Sequence, residues 1–182
     1  MFLTAEGMLP TLQSESDVEQ KIILPLLTSP APMGLELDNE GIYSKVSVKK
    51  LVIDKGKSRK NYFPDFSYVK FGLPLLIVEA KAPGEDLVEA LREARLYAAE
   101  LNSKFGNTVD PVTFVLASDG HQIIAGYAND AQPLFQLKAS ECSPSNEEFS
   151  KFQECFSEQS MVKRPNSYRR KSGQPAIGSL ES

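Results

Sequence analysis

The chain has 182 residues with 41% hydrophobic composition, enough to bury the core of one ordinary domain, and 20 basic against 24 acidic side chains give a net charge of −4. No run approaches the ~18 apolar residues of a membrane span, and residues 1–6 lack the basic flank and apolar stretch of a secretory signal, so a cytoplasmic protein with no membrane partner is expected. Two cysteines, Cys142 and Cys155, are too few for a disulfide scaffold or a zinc site and read as reduced and structural. The single histidine, His121, excludes multi-histidine metal sites but leaves a Ser-His-Asp arrangement open.

In chain order, residues 1–13 show no period and read as an N-terminal extension. Ser14 with Glu15 and Asp17 behind it predicts a helix start, since acids there complement the helix dipole. At about 100° per residue Glu15, Glu19, Ile22 and Leu26 fall on one stripe, so two carboxylates continue a core-facing surface. Pro25 inside this pattern predicts a kink or the end of regular helix.

Residues 42–54 turn β-like, and Lys55-Gly56-Lys57-Ser58-Arg59-Lys60-Asn61 reads as a basic turn able to track a phosphate backbone or simply to be solvated. A strand over residues 62–70 contains Pro64-Asp65-Phe66. Leu75-Leu76-Ile77-Val78 predicts a central strand buried on both faces, running into Glu79-Ala80-Lys81 and stopping at Ala82-Pro83-Gly84. The clearest helix spans residues 86–102, with Leu87, Leu91, Ala94, Ala98 and Leu101 at helical spacing. A strand over 112–117, a Ser118-Asp119-Gly120 turn, a strand over 121–127 and a helix over 146–156 follow. The order predicts an α/β fold with a mixed central sheet flanked by helices, in which the long helix joins two parallel strands. His121 after the turn reads as a strand-edge surface residue, with a phosphate contact as the lesser alternative. The domain is expected over residues 14–157. Residues 158–182, rich in Ser with Gly and Pro and carrying a charge of +3, read as a disordered basic tail, which leaves −7 on residues 1–157.

Glu79 and Lys81 lie two apart on a strand and so emerge on one face, at the end of an apolar run where an unpaired charge is costly to bury. Asp65, 14 residues upstream across a hairpin, brings a second carboxylate toward them. Two carboxylates suit Mg²⁺, which prefers oxygen ligands, and a neighbouring lysine can orient or help deprotonate a water for in-line attack on a phosphodiester. Glu15 or Glu19 would complete the shell.

Pro64-Asp65 with Glu79-Ala80-Lys81 resembles the PD-(D/E)xK nuclease superfamily, and the wider stretch over about residues 14–130 is similar to the N-terminal nuclease domain of type I restriction enzyme R subunits. Ser14-Glu15, Pro25-Leu26-Leu27, Val78 through Pro83 and Ser118-Asp119-Gly120 carry the likeness. The resemblance implies a restriction-endonuclease-like fold and Mg²⁺-dependent hydrolysis of DNA, with Mn²⁺ as a substitute ion. It makes Asp65 and Glu79 metal ligands, Lys81 the catalytic lysine and Glu15 the helix acid, with Glu19 the other candidate. The family's Gln-x-x-x-Tyr helix motif falls on Glu93 and Tyr97, as DNA-binding positions; an ionised glutamate cannot donate to phosphate as glutamine does, and Tyr97 reads equally as core. Implied partners are DNA and the translocase, methyltransferase or specificity subunits of a restriction system. No ATP site is present, because the first glycine that a Gly56-Lys57-Ser58 phosphate loop requires is Leu51. The rival expectation is a catalytically inactive nuclease-fold module that binds DNA or partner subunits.

Overall fold

Strand β3 (Leu73–Ala80) is the spine of the molecule, and residues 75–80 are all buried. In the computed structural model, which describes residues 7–45, 63–105 and 109–171 with side chains to 164, it lies in a six-stranded mixed sheet. The other strands are β1 (Ile42–Ser44), β2 (Phe66–Lys70), β4 (Phe114–Ser118), β5 (Gln122–Tyr127) and β6 (Phe135–Lys138). Their spatial order follows the chain, β1-β2-β3-β4-β5-β6. All neighbours are antiparallel except β3 and β4, which pair in parallel with Leu76 opposite Phe114.

That parallel pair needs a crossover, and the helix Leu87–Asn102 provides it. Here it is α3, after α1 (Glu15–Val18) and α2 (Leu24–Thr28). Asp86 caps it by accepting the N–H groups of Val88 and Glu89. Its stripe of Ala90, Leu91, Ala94, Tyr97, Ala98 and Leu101 packs on Ile77, Val115, Ala117 and Ile124. The opposite sheet face, with Leu76, Val78, Leu116 and Ile123, is covered by Val18, Ile22 and Leu26 of the first helical segment and by Phe149 and Phe152 of α4 (Glu147–Cys155). Burial between two helical layers explains why β3 is continuously apolar rather than alternating. This is the α/β fold expected, restriction-endonuclease-like in its arrangement.

Three expectations change. The first helix does not end at Pro25. Between α1 and α2 it widens into a π turn over Glu19–Ile23, in which Leu24 N–H bonds the Glu19 carbonyl, and helix resumes through the proline. The wider turn accommodates a residue that lacks an N–H donor. Strand β6 was not anticipated. Residues 158–171, read as disordered, form helix α5 (Glu158–Lys171). Met161 is fully buried in the core, the Tyr68 hydroxyl donates to the Glu158 carboxylate, and Arg164 stacks 3.7 Å above the Tyr127 ring. A few anchors thus order a polar segment. Residues 46–62, including the basic turn and most of the strand expected over 42–54, lie outside the described residues. Within the expected N-terminal extension, Leu9 and Leu12 pack against the core. No helix among the described residues is long and apolar enough to cross a membrane.

Candidate active site

The antiparallel register places Ser44 opposite Phe66 and Phe66 opposite Val78, so Lys45, Asp65 and Glu79 follow as the next row across three strands. The Lys45 N–H bonds the Asp65 carbonyl at 3.1 Å, and Asp65 Oδ2 accepts the Ala80 N–H at 2.6 Å. Asp65 is therefore pinned at the head of β2 with its carboxylate turned to the end of β3. Glu79 lies on the same face as Ile77, which packs on α3, and Lys81 shares that side: its Nζ lies 2.9 Å from Glu93 Oε2 of α3. From the other layer, α1 and the π turn bring Glu15 and Glu19. Oxygens of Glu15, Glu19 and Asp65 all lie within 4.8 Å of one another.

A loop anchors the lysine. Lys81 N–H bonds the Ser118 carbonyl at 2.9 Å, continuing the β3–β4 pairing. The Asp119 carboxylate accepts the N–H groups of His121 and Gln122 and also that of Gly84, joining the β4–β5 turn to the segment after Lys81. Gly120 turns here with φ +86°, and a Cβ on it would meet Leu12 at 2.4 Å. The Ser118-Asp119-Gly120 turn thus holds the strand end that carries the site.

Charge in the site is crowded. Glu79 is 5% exposed, and its Oε1 has no hydrogen-bond partner among the described residues. Burial, then the charges of Asp65 and Glu93, push its carboxyl up to about 9 against a smaller opposing pull from Lys81. Glu19 is raised by burial and by Asp65. Partial burial works against the Lys81 ammonium, but its bond to Glu93 and the nearby Glu79 and Glu15 outweigh this and raise it. Lys45 behaves likewise: burial opposes its charge, and the bonds to Asp65 and Glu15 more than compensate.

Of the residues singled out in the sequence, Asp65, Glu79, Lys81, Glu15, Glu19 and Glu93 meet in one network. Glu79 stands outside the tight trio of acids and touches it through Asp65. Tyr97 does not join: at 1% exposure it packs with α3 against the sheet, so the DNA-facing alternative gives way to the core one. His121 is exposed, as expected of a strand edge. Lys45 was missed. Its signal lay only in the β1–β2 register, and a hairpin with a long connection does not fix register through its turn.

The site is thus an acid-lined strand end on a mixed sheet between two helical layers. Residues 45–133 match the family model for the type I restriction enzyme R protein N terminus, so this segment is similar to that family. The match takes in Lys45, Asp65, Glu79, Lys81 and Glu93, while Glu15 and Glu19 precede it. No curated protein and no solved structure matches the chain.

Proposed function

We propose that this domain is a Mg²⁺-dependent endodeoxyribonuclease of a restriction system, hydrolysing DNA phosphodiesters. The observation that carries the reading is the meeting of Glu15, Glu19 and Asp65 beside a buried Glu79 whose Oε1 lacks a partner among the described residues. An all-oxygen donor set fits a hard divalent ion such as Mg²⁺, or Mn²⁺ in its place. Asp65 with Glu15 and Glu19 would hold the ion, and Glu79 would join once its proton is lost. When bound, the ion supplies Lewis-acid polarisation of the phosphate and activation of the attacking water. Lys81 keeps its proton at Nζ, because its ion pair with Glu93 and the nearby charge of Glu15 stabilise the ammonium. It therefore donates a hydrogen bond toward the developing charge on a phosphate oxygen and does not serve as the base. Glu93 orients it through the 2.9 Å ion pair.

Plasmid DNA incubated with the purified protein and Mg²⁺ or Mn²⁺ should be nicked or cut, and Lys81→Ala and Asp65→Asn should each reduce the rate by roughly 10²–10³-fold. Undiminished cleavage by Lys81→Ala would reject the assignment.

A second reading has an observation of its own: both lysines of the site are already paired with carboxylates, Lys81 with Glu93 and Lys45 with the acidic trio. A module so neutralised would bind DNA or the translocase, methyltransferase or specificity subunits without cutting. It predicts retained binding and no metal-dependent turnover. The charge of −7 over residues 1–157 favours DNA contact in company with a partner over tight binding alone.

A further inference from the structure

Lys45 occupies the middle of the acidic trio. Its Nζ lies 3.0 Å from Glu15 Oε1 and 3.8 Å from Glu19 Oε1, and it pairs with Asp65. These are the same three residues whose oxygens are close enough to share one ion. We propose that Lys45 is a tethered counter-cation that holds these carboxylates together until a divalent ion displaces it, so that metal affinity is set by competition with the chain's own ammonium. This rests on reading the site as a divalent-cation centre, which the buried Glu79 Oε1 beside the trio, unpartnered among the described residues, supports independently.

Electrostatics and reach both point this way. Three carboxylates within 4.8 Å repel one another unless a cation lies among them. An ammonium and a divalent ion cannot share that space, since Mg²⁺ draws oxygens to about 2.0–2.1 Å in near-octahedral order. The anchor and the charge of Lys45 are separable. Its backbone is bonded to Asp65, whereas its side chain is 47% exposed against 2% for that of Asp65. The ammonium therefore enters from the solvent side on a flexible four-carbon stem and can leave the same way without disturbing the strand.

Calorimetric titration of the full chain with MnCl₂, paired with thermal melts, tests this. Lys45→Met should bind Mn²⁺ at least about tenfold more tightly than the unmodified protein, because one competing charge has gone. Lys45→Arg, which keeps the charge, should not gain affinity, and Lys151→Met, removing an exposed pair on α4, should change nothing. In EDTA, Lys45→Met should melt below the unmodified protein, and Mn²⁺ should raise its Tm by the larger increment. Equal or weaker Mn²⁺ binding by Lys45→Met overturns the displacement while leaving the metal centre standing. Failure of every protein to bind Mn²⁺ overturns the metal reading and this inference with it. Should the methionine variant not fold, Lys45→Gln, which keeps a hydrogen-bond donor of shorter reach, decides between the same outcomes.

Discussion

Glu79 shows how one side chain links folding to the chemistry of the site. Its carboxyl titrates near 9 in the fold against 4.5 when unperturbed, so the metal-free protein holds a proton there that the unfolded chain has released. The native state thus binds more protons between those values, and stability must fall as pH rises through that window. The contribution is fully present below about 4.5 and lost as pH climbs past 9. Melts in EDTA between pH 5 and 9 should show a declining Tm that Glu79→Gln flattens. A slope unchanged by that substitution would place the titration elsewhere. Mn²⁺ should reduce the slope, because a cation stabilises the ionised form that burial penalises. Glu79 and Lys81 were legible in the sequence because charges ending an apolar strand demand a reason, and Asp65 because Pro64-Asp65-Phe66 lies on the neighbouring strand. Lys45 was not, since nothing in Ile42-Tyr43-Ser44-Lys45 shows that a distant aspartate lies alongside.

Elements place these groups, and the β4–β5 turn does so most directly. Asp119 accepts three backbone N–H groups from two separate segments, and it is 6% exposed. Asp119→Ala leaves those donors with poorer partners and should cost about 1–3 kcal/mol in urea denaturation. It should also weaken cleavage, since the segment after Lys81 loses its tie; a variant with unchanged stability would remove the turn from this role. The elements readable in advance were those with strong local signals. Helix α3 has Asp86 as cap and a regular apolar stripe, and α4 has Asn146 in the same position. Strand β6 escaped because four residues are too short a window to separate alternation from chance. The π turn escaped because the sequence reports only that proline disrupts, not that the helix widens and carries on.

At the scale of the molecule, two helical layers enclose one sheet, and the least readable part was the C-terminal helix. Its mean composition is polar, and its attachment depends on isolated residues, of which Met161 is fully buried. Met161→Ala should cost about 2–3 kcal/mol by chemical denaturation, whereas a free linker would register no change. Glu158 at the head of α5 is joined both to the hydroxyl of Tyr68 and, at 3.4 Å, to the ammonium of Lys70. Both belong to β2, the strand that begins immediately after Asp65. Tension or torque applied to the C-terminal helix is therefore delivered, through one glutamate, to the ribbon at whose head Asp65 is mounted.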